Sequence, residues 1–238
     1  MKRLTNLVSK TRKYRNIEKF NKLWREKRIR TPLLVFIGGY AGVGKSTVAN
    51  VIAKNIPHVS FYPTGFARAS AQTFTKKKDN PALYMNTFRL HEFINKNLNK
   101  SEFKRECVRL FKNQRDAVTS VLTNCVKFIA SEHQNTIIDG NHVCPNLVDK
   151  INKDNPGVIL FEFYLKVSDP KVHFQMMQGP THSRVLTEKD FENARILHDF
   201  LVGEAEGKGR MVYEYDVASD EILGSLDSML EGVVERYR

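Results

Sequence analysis

The sequence predicts an α/β fold, a five-stranded parallel sheet flanked by helices, with a short lid and a basic helical N-terminal arm. Two patterns point to it. Apolar runs of strand length alternate with segments of helical period from residue 33 onward. The first of these runs leads directly into a glycine-rich loop and then a helix, in "LLVFIGGYAGVGKSTVANVIA" at residues 33 to 53. Length agrees: 238 residues with 41% apolar content suit one α/β domain with a sizeable core.

Residues 33 to 38 read as a continuous apolar strand and residues 45 to 55 as a helix. "HVSFYP", about 58 to 63, is the second strand. A helical region is expected over roughly 87 to 131, in two pieces. Within its second piece Phe103, Cys107, Leu110, Val118, Val121, Cys125 and Ile129 keep a core-facing period. "NTIIDG" (135 to 140), "GVILFEFYLKV" (157 to 167) and "MVYEYD" (211 to 216) supply the remaining strands. A C-terminal helix follows, with Ile222, Leu226, Met229, Leu230 and Val233 on one side.

The net charge of +12 is unevenly spread: residues 1 to 30 hold twelve Lys/Arg against two Glu. Leu4, Leu7, Tyr14, Ile17, Phe20 and Trp24 recur there at near-helical spacing. A basic amphipathic helix of this kind meets nucleic acid, an anionic membrane surface or the protein's own body, or stands solvated. Thr31-Pro32 marks the expected boundary between this arm (1 to 30) and the main domain (31 to 238). No apolar run reaches the roughly 18 residues of a membrane span, and no secretory h-region is visible near the start. Cys107, Cys125 and Cys144 are odd in number and widely spaced, which points to free thiols in a reducing compartment such as the cytoplasm. The mitochondrial matrix is the alternative if the Arg-rich arm is a transit segment.

Gly39-Tyr40-Ala41-Gly42-Val43-Gly44-Lys45-Ser46 fits G-x-x-x-x-G-K-[ST] at every fixed position, between a strand and a helix. This is the Walker A loop of a P-loop NTPase fold, and it calls for ATP and Mg²⁺. Gly39, Gly42, Val43, Gly44, Lys45, Ser46 and Thr47 are the expected phosphate-binding residues. Successive N–H groups point at the phosphates, Lys45 bridges the outer two, and the Ser46 hydroxyl faces the metal. Such a site also needs a carboxylate at the end of a neighbouring strand, and Asp139 in "TIIDGNHV" is the candidate. Arg184, in the polar stretch "QGPTHSRVLTEKD", is the expected lid cation, and Arg195 lies a few turns onward.

With these residues in place, the chain from 33 to about 230 resembles the archaeal 2-phosphoglycerate kinases and their small P-loop kinase relatives. "IGGYAGVGKSTVA" is similar to that family's glycine loop. "PTGFAR" resembles its T-D-S-I-R segment, and "NPALYMNTF" its N-P-x-L-H-T-S-S-Y segment. "IIDGNHVCPNLVD" resembles its I-E-G-V-H-x-x-P-G stretch, and "DFENARILHDFLV" its x-N-F-x-x-I-R-x-I-Q segment after the lid. The resemblance implies ATP-dependent phosphotransfer to an alcohol group, with Thr64, Arg68, His142 and Arg195 toward the acceptor.

Three departures bear on the acceptor. Gly65 stands where the family has the Asp of T-D-S-I-R, and glycine can neither orient a hydroxyl nor take its proton. Tyr84-Met85-Asn86-Thr87-Phe88 trades small hydroxyls for bulk. "FQMMQG" lacks the arginines expected ahead of Arg184. Two expectations follow. One is a kinase acting on a hydroxyl of a small metabolite, or of a modified base or an end of a nucleic acid, with an acceptor other than 2-phosphoglycerate. The alternative is a catalytically reduced nucleotide-binding module anchored to nucleic acid or a larger assembly by its basic arm.

Overall fold

The structure, a computed structural model, describes residues 13–95, 97–179 and 185–237. In chain order the helices are α1 (Arg15–Arg25), α2 (Lys45–Asn55), α3 (Thr64–Phe74), α4 (Lys100–Ser131), α5 (Pro145–Asp154), α6 (Pro170–Met177), α7 (Glu188–Gly207) and α8 (Ala218–Glu235). The strands are β1 (Leu33–Gly38), β2 (Val59–Pro63), β3 (Asn135–Asp139), β4 (Ile159–Lys166) and β5 (Val212–Glu214). They form one parallel sheet in the order β2-β3-β1-β4-β5.

β1 lies at the centre of the sheet and is buried along its whole length, which explains its uninterrupted apolar run. One face of the sheet packs on α1, α2 and α8 through residues such as Phe20, Ile52, Phe163 and Leu226. The other packs on α3, α4 and α5 through Phe36, Ala67, Leu122 and Leu147. A third apolar cluster, with Tyr40, Phe111, Met177 and Leu197, joins α4, α6 and α7 beside the phosphate loop.

Two sequence expectations are revised. Of the two helical pieces expected over roughly 87 to 131, the first is a 3₁₀ helix, Thr87–Phe93, and the second is an α-helix that starts only at Lys100. Its start is fixed by a capping box, in which the Asn99 side chain accepts from the Glu102 N–H and the Glu102 carboxylate accepts from the Asn99 N–H. The described part of the basic arm does not stand apart from the body. Ile17, Phe20, Leu23 and Ile29 are buried in the same core as Leu33 and Ile37, so Thr31-Pro32 is not a packing boundary. Asp227 of α8 supplies what α1 lacks at its own start, accepting from the N–H groups of Asn16 and Ile17 at 2.8 and 2.9 Å. Leu4 and Leu7 lie outside the described residues.

Candidate active site

A cleft of about 640 Å³ opens at the carboxyl ends of β1 and β3. The strand order changes direction at β1, and that is where ligands bind in open α/β sheets. Gly42, Val43, Gly44, Lys45, Ser46 and Thr47 line one wall, and Thr64, Gly65 and Asp139 another.

The loop's geometry explains its glycines. Gly42 has φ +76, and a Cβ there would come within 2.5 Å of Met177 Cγ. Gly44, at φ +82, has open space around it, so its requirement is conformational. Gly39 lies behind the cleft against the Leu165 carbonyl, and the Val43 side chain is buried below the loop. α2 begins at Lys45 with no side chain capping it, which leaves its first-turn N–H groups for a phosphate. The Lys45 ammonium donates to the Tyr40 carbonyl at 2.5 Å.

Asp139 sits at the last position of β3, in register with Ile37 at the mouth of β1. Burial raises the pKa of its carboxyl, and the Lys45 charge opposes that rise. Lys45, Ser46 and Asp139 therefore share one cleft. A hydroxyl and a single carboxylate suit Mg²⁺, which keeps phosphate oxygens and waters as its other ligands. Among the described residues no cluster of three or more His, Cys, Asp or Glu forms an all-protein metal cage.

The acceptor-side residues are distributed otherwise than the sequence suggests. His142 is buried behind the cleft wall, where it braces Thr64 rather than facing a ligand. The Gln114 amide nitrogen donates to the Ala82 and Met85 carbonyls, so its oxygen can only accept from His142 Nε2–H, at 3.0 Å. His142 Nδ1 then accepts from the Thr64 hydroxyl, also at 3.0 Å. Burial, with the charges of Arg68, Arg115 and Lys45, pushes the His142 pKa down to about 3 and keeps the ring neutral.

Arg68 donates to the Met85 carbonyl at 2.6 Å and has no carboxylate within ion-pair distance among the described residues. Burial lowers its pKa, the mark of a guanidinium short of water and without a counter-ion. A Cβ at Gly65 would meet nothing within 4 Å, so the wall is open at that point, where the resemblance places an Asp.

Arg195 is committed elsewhere. It donates to the Val167 carbonyl at 2.8 Å and pairs with Asp199 at 2.6 Å, and it is not among the residues that line the cleft. Arg184 lies outside the described residues.

Sequence reasoning passed over several residues here. Asn50, Asn141 and Met176 also line the cleft. Asn141 donates to the Thr87 hydroxyl at 2.9 Å and Asn193 to the Thr87 carbonyl at 2.7 Å, tying "YMNTF" to the cleft wall. "FQMMQG" serves as packing: Met176 reaches the cleft and Met177 fills the space under Gly42. His173 is fully buried, and its Nε2–H donates to the Ala41 carbonyl in the loop at 2.8 Å. Burial pushes the His173 pKa down to about 4. None of these carries a local motif, since each acts on a partner distant in sequence.

Comparison with known proteins agrees with this fold. No protein-family model matches the chain. It is 25% identical over 236 residues to a 2-phosphoglycerate kinase of Methanocaldococcus jannaschii, covering 98% of this chain and 72% of that protein. It is 27% identical over 218 residues to the 2-phosphoglycerate kinase of Methanopyrus kandleri, covering 87% of this chain and 65% of that protein. The chain thus spans about two thirds to three quarters of the length of these relatives. Among solved structures, a sugar kinase from Janibacter sp. superposes with a TM-score of 0.50 at 13% identity, over 84% of this chain and 95% of that one. At that identity the likeness speaks to fold alone. The chain has a P-loop kinase fold, and in sequence it is similar to the archaeal 2-phosphoglycerate kinases.

Proposed function

We propose that the protein is a kinase that moves the γ-phosphate of ATP to a hydroxyl of an acceptor entering beside Gly65. The observation that supports this most is the convergence of Lys45, Ser46 and Asp139 on one cleft. The loop amides and Lys45 would hold the triphosphate, while Ser46 and Asp139 would hold the metal. Mg²⁺, when bound there, would supply neutralisation of the charge that develops on the transferred phosphoryl group. The acceptor oxygen bonds to the γ-phosphorus as the bond to the β–γ bridging oxygen breaks, ADP departs, and the hydroxyl proton passes to solvent. A strong base is not required, because such transfer depends chiefly on positioning and electrostatics.

Arg68, without a carboxylate partner, is suited to an anionic group on the acceptor. The space at Gly65 and the bulkier "YMNTF" wall distinguish the pocket from that of the 2-phosphoglycerate kinases the chain resembles, and favour a different acceptor.

The test is incubation with labelled ATP, Mg²⁺ and separate pools of hydroxy acids, sugars, polyols and nucleic acids. Label is expected in one pool, and Lys45→Ala should lower its transfer by on the order of 10² or more while the fold persists. Unchanged transfer in that variant would overturn the assignment. Slow hydrolysis with no labelled acceptor would favour the catalytically reduced binding module instead, the reading to which the missing carboxylate at Gly65 lends weight.

A further inference from the structure

The opposite end of the sheet, where the strands begin, carries a second depression, of about 430 Å³. Trp24, Arg25, Lys27, Arg30, His58 and His133 line it, brought together from the end of α1 and the turns before β2 and β3. β1 has six residues at about 3.3 Å each, so the depression lies roughly 20 Å from the phosphate loop.

Three of its cations are unpaired. Arg25, Lys27 and Arg30 are exposed and have no carboxylate within ion-pair distance among the described residues. The carboxyl ends of α1, α2 and α4 converge at this end and contribute about half a negative charge each, which three full cations outweigh.

Its backbone is unusual. Lys27, His58 and His133, at φ 58, 51 and 53, are all the non-glycine residues with positive φ among the described residues, and all three line this depression. Glycine is the usual occupant of such positions after a helix. Here each keeps a basic side chain in spite of the strain, and strain of this kind concentrates where side chains are used.

Its walls are also fixed to one another. His133 Nδ1–H donates to the Arg30 carbonyl at 2.9 Å. The buried Asn135 accepts from the Leu33 N–H at 2.9 Å and donates to the Pro57 carbonyl at 3.2 Å, which ties together the starts of β1, β2 and β3.

Trp24 is half-buried, stacked on Phe20 with ring centroids 5.8 Å apart, and lines the depression with the part of its ring that stays exposed. An aromatic ring beside several cations is the chemistry that takes single-stranded nucleic acid, bases stacking and phosphates pairing. A bilayer suits it less well, because the apolar face of α1 (Ile17, Phe20, Leu23) is buried in the core and has nothing to insert. We propose that this groove binds single-stranded nucleic acid, with one base against Trp24 and flanking phosphates on Arg25, Lys27 and Arg30. The proposal does not rest on phosphotransfer at the other end.

Trp24 is the only tryptophan in the chain, so its emission reports on the groove directly. Titrating the full chain with a short oligothymidylate should quench that emission saturably. Combining Arg25→Gln, Lys27→Gln and Arg30→Gln should weaken binding on the order of tenfold or more and reduce the salt slope by about 2. Combining Lys76→Gln, Lys77→Gln and Lys78→Gln removes the same charge from an exposed loop elsewhere and should leave the quenching curve unchanged. No quenching, equal weakening by both sets, or equal affinity for the matching duplex would overturn the proposal.

Discussion

His142 and His173 are two imidazoles that the fold holds neutral. Each has a nitrogen committed to an oxygen that can only accept, Gln114 Oε1 for one and the Ala41 carbonyl for the other. With native pKa values of about 3 and about 4 against 6.5 in the unfolded chain, their contribution has a definite sign. Above pH 6.5 both states are neutral and stability is complete. As the pH falls below 6.5, the unfolded chain takes up protons the native protein refuses, and each site withdraws about 1.4 kcal/mol per pH unit. Urea unfolding between pH 7 and 4.5 should show this loss, and His142→Asn, though less stable at pH 7, should show a shallower slope. Parallel curves for the two proteins would mean that His142 is not held neutral. At the same scale, the sequence distinguishes poorly among arginines. Arg68 and Arg195 both look like acceptor cations, yet Asp199 and the Val167 carbonyl occupy one while the other has no carboxylate beside it.

At the scale of elements, what was legible depended on how locally an element is determined. The phosphate loop could be read because each fixed position answers a local demand, such as the positive φ of Gly44 or the uncapped start of α2. The strands could be read because the sheet buries their apolar runs. The start of α4 was readable in principle, since Asn99 and Glu102 stand at capping-box spacing, but the apolar residues before it extended the helical pattern backward. α1 was recognisable as an amphipathic helix, but its partner was not. The contact that orders it comes from Asp227, more than 200 residues later. Removing that carboxylate with Asp227→Ala leaves two N–H groups at the start of α1 unpaired and should cost about 1–3 kcal/mol. Phe20→Ala, which empties a fully buried site in the core beneath the same helix, should cost about 3–5 kcal/mol. Denaturant midpoints measure both. If neither variant shifts the midpoint, α1 is not part of the cooperative fold.

Over the whole molecule, the parallel sheet separates two kinds of chemistry. At the carboxyl ends of the strands, helix N-termini and the glycine loop assemble a site for phosphate. At the amino ends, helix C-termini gather Arg, Lys and His around Trp24. Both follow from strand direction, but only the first is written as a contiguous motif. A ligand confined to the carboxyl end must stabilise the native state by mass action, because the unfolded chain has no assembled cradle. At a free concentration one hundred times its Kd, ATP with Mg²⁺ should add about 2.7 kcal/mol. For a chain of this size that corresponds to a rise in Tm of roughly 5–10 °C. Chelating the metal should reduce the rise, because Ser46 and Asp139 then face the phosphates without a cation between them. Lys45→Ala should reduce it further. A thermal scan giving the same Tm with and without the nucleotide would show that the loop, although built for a polyphosphate, does not hold one.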